Sequence, residues 1–138
     1  KASNTKKNLF VSTGFSNIKS IFQLGKEFPK INFIHTSLDR KPEDANLRAI
    51  ATLKKKIKNK VSFGLHSKNH EILLISVSFS PDSLFFYIKP DKRVYYPDDE
   101  HAISLNELPN ILRLIKITQQ SIGNGEKIKK KTPKWIFR

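Results

Sequence analysis

The chain has 138 residues, of which 26 are Lys or Arg and 12 are Asp or Glu, so its net charge is +14. Its length is typical of one domain with a sizeable core, and 38% hydrophobic residues favour a folded chain over a disordered one. The absence of Cys excludes disulfide bonds, thiolate chemistry and Cys-based zinc sites. No stretch is apolar enough to span a bilayer, and no signal peptide is expected at the start.

Short apolar runs alternate with helical spacings over the first half of the chain. Strands are predicted at residues 8–14, 31–35 and 61–65. The first helix is expected to start at an N-cap Ser16 and to end at Gly25, and the second to enter at Pro42. This β-α-β-α-β order predicts a parallel sheet built from right-handed crossovers.

The second half of the chain predicts hairpins and one closing helix. Strands are expected at residues 72–80, 84–88 and 94–96, separated by turns at Pro81 and Pro90. A helix over residues 105–117 follows, with Ser104 and Glu107 spaced as a capping box. The fold class is therefore α/β, a single domain over residues 1–138 with a mixed central sheet. Its folded core spans 8–122, and residues 1–7 and 123–138 are basic flanking segments.

The basic residues are concentrated in two places, which predicts a polyanion partner, RNA or DNA, rather than a membrane. Lys54, Lys55 and Lys58 fall on the open side of the second helix. The last thirteen residues hold six basic residues and one acid. The binding residues expected in this tail are Lys129, Lys130, Lys131 and Lys134, with Trp135 as a base-stacking residue.

Histidines at two predicted strand ends suggest where chemistry takes place. His35 and His66 stand at the carboxyl ends of parallel strands, where open α/β sheets bind ligands. An imidazole can attack phosphorus, and the ammonium of Lys68 can stabilise phosphoryl oxygens on the same strand face. A metal site through His66 and His70 is the weaker alternative. Asp82 and Asp91 are interpreted first as turn residues rather than ligands of a metal-dependent nuclease.

Residues 8–117 resemble a single-domain phospholipase D-like nuclease in the order of their elements and in the His66-Ser67-Lys68 triplet. The resemblance implies cleavage through a phosphohistidine on His66, with Lys68 as phosphate ligand and neither metal nor cofactor. Ser78, on a predicted strand face with Ser76 and Ser80, is a further phosphate contact, and His35 completes the expected catalytic set. The Asp that the family carries five residues after its Lys is Leu73 here.

These observations together predict a nucleic-acid-binding nuclease or phosphodiesterase, such as a toxin or effector domain. The alternative is a non-catalytic nucleic-acid-binding module, such as a ribosomal or other nucleoprotein component. A homodimer, an inhibitor and a parent protein are left open as further partners. The compartment is cytoplasmic for a nucleoprotein component, whereas a toxin domain would be delivered to its target.

Overall fold

The computed structural model describes residues 7–91, 95 and 97–127. Four parallel strands form the central sheet in the order β1 (Phe10–Ser12), β2 (Asn32–His35), β3 (Val61–Gly64) and β4 (Leu84–Phe85). They are linked by the helices α1 (Ile18–Glu27), α2 (Arg48–Lys56) and α3 (Glu71–Val77). A parallel pair of short strands, β5 (Ile88–Lys89) and β6 (Ile103–Ser104), precedes α4 (Leu108–Ile122). Short 3-10 helices lie at Pro42–Ala45 and Asp99–His101.

The predicted fold class is confirmed: the chain is a single α/β domain with a β-α-β-α-β first half and a C-terminal helix. The capping box before α4 also forms, since the backbone N–H of Ser104 donates to Glu107 Oε2 and that of Glu107 donates to Ser104 Oγ. Pro109 lies in the first turn, where its missing N–H costs no helical hydrogen bond. Helix α1 differs in detail, because its N-cap is Asn17 and it continues through Gly25 to Glu27.

The predicted hairpins are wrong among the described residues. Most of the expected strand 72–80 lies in α3, and β4 pairs with β3 in parallel register, Phe63 opposite Leu84. A short apolar run has no period that distinguishes a strand from a buried helix. Here it buries Ile72, Leu73, Ser76 and Val77, which is the i, i+1, i+4, i+5 pattern of one helix face. The predicted strand 94–96 lies largely outside the described residues.

All four helices pack against one face of the sheet. Phe33, Val61 and Phe63 point to that face from the central strands and are at most 1% exposed. They join one core cluster with Ile21 of α1, Ile50 and Leu53 of α2, and Ile72 and Leu73 of α3, against which Leu108 and Ile111 of α4 pack. Consecutive strand order with the helices on one side is the arrangement of a β/α barrel, whereas strand order reverses in a doubly wound sheet.

The opposite face of the sheet is concave. Phe10 on β1 and Phe85 on β4 belong to strands at opposite edges, which are about 14 Å apart in a flat four-stranded sheet. Their rings nevertheless meet edge to face, with centroids 5.2 Å apart. The sheet therefore curls around this face, as four of the eight strands of a barrel do. Within the described part of the chain, β1 and β4 have no further strand beside them.

None of the described helices is both long and apolar enough to cross a membrane.

Candidate metal centre

Three loops at the carboxyl edge of the sheet bring a cluster of aromatic rings together. His66 lies two residues beyond β3, Tyr87 lies between β4 and β5, and His101 lies just before β6. Leu65 donates its N–H to the carbonyl of Phe85 (2.8 Å), and Ile103 donates to the carbonyl of Tyr87 (2.9 Å). These backbone bonds tie the segments that carry the three rings into one layer.

The two imidazole rings face each other closely. The centroids of His66 and His101 are 4.3 Å apart with a 36° tilt, so that the rings are partly stacked. Tyr87 packs its ring edge-on against both, with centroids 5.6 Å from His66 and 5.1 Å from His101. The tyrosine ring therefore closes one side of the histidine pair.

Three of the four ring nitrogens of this pair are buried without hydrogen-bond partners among the described residues. His66 Nδ1 and both nitrogens of His101 have none among the described residues, although His101 is only 1% exposed. Asp98 Oδ1 lies 3.5 Å from His101 Nε2, and no hydrogen bond joins them. Unpaired buried nitrogens cost free energy, so their retention indicates that something else engages them.

Burial lowers the pKa of His101, and the neighbouring His66 lowers it further. The Asp98 carboxylate raises it and only partly offsets those two effects. His101 is therefore neutral at pH 7, with a lone pair available on one ring nitrogen.

His66, Asp98 and His101 can each offer one ligand atom, and these atoms all lie within 4.8 Å of one another. Ligands bound at about 2.1 Å to one ion are at most about 4.2 Å apart, so the side chains need only a small approach to share a cation. Two imidazoles and one carboxylate suit Zn²⁺ and other divalent transition metals, and three protein ligands leave a coordination position for substrate. The donors and the unpaired nitrogens together fit a metal.

The backbone at Asp98 is strained. Its φ is +65°, in the left-handed region that few residues other than Gly adopt, and Asp is one of those that tolerate it. The residue starts the 3-10 turn Asp99–His101, and His101 donates its N–H to the carbonyl of Asp98 (3.2 Å). This turn directs the carboxylate and the imidazole to the same point, and such strain is commonly kept at functional sites.

A cleft of about 410 Å³ extends from His66 over the concave face of the sheet. Among the residues that the structure describes, its lining includes no charged side chain. Aromatic and aliphatic side chains dominate, and Ser12, Thr36 and Tyr87 supply hydroxyl groups. The cleft therefore suits a neutral, partly apolar ligand whose reactive end reaches the histidine pair.

Of the expected catalytic residues, only His66 lies in this cluster. His35 shares the helix-facing side of β2 with Phe33, and its Nε2 donates to the carbonyl of Ala45 (3.0 Å). Lys68 is exposed beyond β3, which ends at Gly64, so strand alternation does not pair it with His66. Ser78 is the exposed C-cap of α3, which runs back toward the opposite edge of the sheet.

The remaining candidates also lie away from the cluster. His70 is the N-cap residue of α3 and is not one of the three donors, so the suggested pairing of His66 with His70 in a metal site is not what the structure brings together. Asp82 accepts a hydrogen bond from the N–H of Val61 (2.8 Å), which agrees with its interpretation as a turn residue. Asp91 accepts from the N–H of Asn106 (3.2 Å).

The basic residues that the structure describes do not form one surface around the cluster. Lys54 pairs with Asp82 (Nζ to Oδ2, 3.3 Å), and Lys55 and Lys58 are exposed near the end of α2, at the edge of the sheet opposite His66. The tail residues Lys129, Lys130, Lys131, Lys134 and Trp135 lie outside the described residues.

Sequence reasoning did not connect Asp98 and His101 with His66. They lie more than thirty residues after His66 in a loop without a regular period, and Asp98 falls in a run of three acids that looks like a solvated surface. The signal that could have found them is a histidine next to several carboxylates in a chain with only four histidines.

Comparisons with known proteins correct the expected family and function. The profile of the NeuB family matches residues 1–127. An uncharacterized protein of Methanocaldococcus jannaschii is 30% identical over 137 residues, which cover 93% of this chain and 40% of that protein.

Two solved structures share the fold. The N-acetylneuraminic acid (sialic acid) synthetase of Leptospira borgpetersenii, determined with citrate, has a TM-score of 0.84 at 23% identity over 94% of this chain and 47% of that one. A putative spore coat polysaccharide biosynthesis protein E of Chromobacterium violaceum has a TM-score of 0.77 at 13% identity, over 94% and 41%. The chain thus spans less than half the length of each of these proteins.

The resemblance to phospholipase D-like nucleases is therefore wrong, and so are the expected nuclease, toxin and nucleic-acid-binding functions. The resemblance depended on the order of the first elements, which many α/β proteins share, and on the triplet at residues 66–68, which lies beyond the end of β3 rather than on the strand. The match over residues 1–127 covers most of the chain, and the chain belongs to the NeuB family.

Proposed function

We propose that this chain is the cation-binding part of a synthase that makes a sialic acid or a related acidic sugar for a surface polysaccharide. Membership of the NeuB family supports the proposal, as does the shared fold with a sialic acid synthetase and a polysaccharide biosynthesis protein. The observation that carries it is the group of His66, Asp98 and His101 at the carboxyl edge of the sheet. In β/α barrels this edge is where active sites lie.

His66, Asp98 and His101 would hold the cation. A divalent cation bound there supplies Lewis-acid polarisation of a carbonyl or phosphoryl oxygen of the substrate. The lowered pKa of His101 keeps its imidazole neutral, so that it need not lose a proton before binding near pH 7. Asp98 contributes the one negative charge among the three donors, and Tyr87 covers one side of the histidine rings.

The cleft beside the donors would hold the sugar. Its lining offers the rings of Phe85 and Tyr87 for contact with the apolar face of a carbohydrate, and the hydroxyls of Ser12 and Thr36 for its hydroxyl groups. The cleft is open on the side away from the sheet, and β1 and β4 are the outer described strands. We therefore propose that further β/α units enclose the rest of the site.

A chimeric synthetase tests this function. The matching segment of the Leptospira protein is replaced by this chain, and the chimera is produced in a bacterium that lacks its own synthetase. We expect mass spectrometry to detect N-acetylneuraminic acid in these cells. The His101→Ala chimera should produce none, whereas the His70→Ala chimera, altered outside the donor group, should produce as much as the unmodified chimera. Absence of product from a soluble chimera with a native-like circular dichroism spectrum would refute the proposed activity.

A further inference from the structure

The two histidine loops are both joined to a third loop, the one between β2 and α2, at Arg40. Ser67 directly follows His66, and its hydroxyl donates to the carbonyl oxygen of Arg40 (2.9 Å). The guanidinium of Arg40 forms an ion pair with Glu100, which directly precedes His101. One residue therefore contacts the neighbours of both histidines, through its main chain on one side and its side chain on the other.

The hydroxyl of Ser67 is buried, and it acts both as a hydrogen-bond donor and as an acceptor. Ser67 is only 4% exposed. Besides donating to Arg40, its oxygen accepts from the N–H of Asn69 (3.3 Å) and from Asn69 Nδ2 (3.2 Å). Because β3 ends at Gly64, this hydrogen bond fixes the segment after His66 where the regular sheet no longer does.

We propose that Ser67 and Arg40 are positioning residues that hold His66 and His101 at the separation at which both can bind one cation. The inference rests on the proposed function, since it concerns the same donors. Neither residue belongs to the donor group itself. Groups that orient metal ligands without touching the metal typically change its affinity 10- to 100-fold when they are removed.

Because Arg40 is positively charged, a positioning role and a purely electrostatic role predict opposite changes in cation affinity when it is removed. A guanidinium near a cation site repels the cation through its charge. If charge were its whole effect, removing Arg40 would strengthen cation binding. A positioning role gives the opposite result, because the His101 loop loses its tie to the His66 loop.

Cobalt titration of the chain and its variants measures this effect, since the visible absorption of Co²⁺ reports the coordination geometry. We expect Ser67→Ala to weaken Co²⁺ binding about tenfold and to alter the absorption band. Arg40→Gln should weaken it less, about two- to threefold, because its ion pair with Glu100 is exposed to solvent. Ser67→Thr, which keeps the hydroxyl, should restore binding. Lys41→Gln removes a neighbouring exposed positive charge from the same loop and should not weaken binding. The double variant should bind Co²⁺ only slightly more weakly than whichever single variant binds it less tightly, because both contacts hold the same loop in place.

Nuclear Overhauser effects between the rings of His66 and Tyr87 test the positioning role independently of metal binding. We expect these effects to be present in the metal-free unmodified chain and to be lost in the metal-free Ser67→Ala variant. If Ser67→Ala and Arg40→Gln bind Co²⁺ as well as the unmodified chain, or better, the positioning role is overturned and the metal site stands. If the unmodified chain binds no Co²⁺, the metal site fails. The ring contacts alone then decide the positioning role: their loss in Ser67→Ala supports it, and their persistence overturns it.

Discussion

Gly25 lies so close to the side chain of Asn59 that a larger residue would displace it. A Cβ built there would lie 2.6 Å from Asn59 Oδ1 and 3.4 Å from Phe33 Cε2. Asn59 is buried, and its Nδ2 donates to the carbonyls of Phe28 (3.1 Å) and Ile31 (3.0 Å). These two hydrogen bonds join Asn59, which lies just before β3, to the segment between α1 and β2. Gly25→Ala must displace the Asn59 side chain and break them.

The cost follows from these contacts. The Ile31 carbonyl is left without a partner, and the Phe28 carbonyl, which still accepts from the N–H of Ile31 (3.2 Å), loses its second hydrogen bond. These two losses cost about 2–4 kcal/mol together. Alanine recovers about 1 kcal/mol through its higher helix propensity. We therefore expect Gly25→Ala to lower the free energy of unfolding by about 1–3 kcal/mol, and Asn59→Ala to lower it by about 2–4 kcal/mol.

Urea unfolding followed by circular dichroism measures these values and their coupling. Once Asn59 is Ala, the clash at Gly25 is gone, so the double variant should be no less stable than Asn59→Ala alone. The coupling free energy is then about 2–4 kcal/mol. A Gly25→Ala chain as stable as the unmodified chain, or effects of the two substitutions that simply add, would refute this reasoning.

Three further outcomes are expected from the same unfolding assay. The lowered pKa of His101 means that the unfolded chain binds more protons, so stability should fall as the pH drops below about 6.5, and His101→Gln should reduce that fall. Asp82→Ala removes an acceptor of a β3 backbone N–H and should cost about 1.5–3 kcal/mol, whereas Lys54→Ala, which leaves that bond intact, should cost less than about 1 kcal/mol. Ile50→Ala should cost about 2–5 kcal/mol because Ile50 is fully buried, while the exposed Ile75 should tolerate Ala within about 0.5 kcal/mol.

The first half of the fold could be predicted because its local signals agree with its packing. The strand at residues 31–35 and the helix with Ile50 and Leu53 on its buried side both lie where periodicity placed them. The capping box at Ser104 and Glu107 is also a local signal, since its hydrogen bonds join residues only three apart. Such features need no knowledge of distant contacts.

Residues 71–77 show where local signals fail. Their apolar, β-branched sequence favours a strand, but they form a helix because a parallel β3–β4 pair needs a crossover on the helical face. The sheet uses the following residues, Leu84 and Phe85, as its next strand. Only the tertiary arrangement decides between the two structures.

The candidate site was predicted in part. Strand-end reasoning placed His66 at the functional edge, and that is where it lies. The same reasoning also pointed to His35, whose side chain alternates to the helix-facing side of β2 and lies outside the cluster. Asp98 and His101 come from a loop whose path depends on the β5–β6 pair and on a left-handed residue, neither of which a pattern in the sequence specifies.

The net charge of +14 led to the wrong function. Charge reports on solubility and nonspecific association rather than on the chemistry of a site. Among the described residues, the lining of the cleft next to the candidate centre includes no charged side chain, whereas Lys55 and Lys58 project near the other edge of the sheet. The proposed function rests on this cleft and on the donors at its end, not on the lysines.

Calorimetric titration of the chain with Zn²⁺ or Mn²⁺ at pH 7 tests the central claim most directly. We expect one ion to bind per chain, binding to be lost in His66→Ala and His101→Ala, and binding to be unchanged in His70→Ala, whose imidazole lies outside the donor group. Affinity should also fall as the pH is lowered, because protons compete for the imidazoles. If the unmodified chain binds no ion, or if the His66→Ala and His101→Ala variants bind it as tightly as the unmodified chain, the claim that these residues form a metal centre is contradicted.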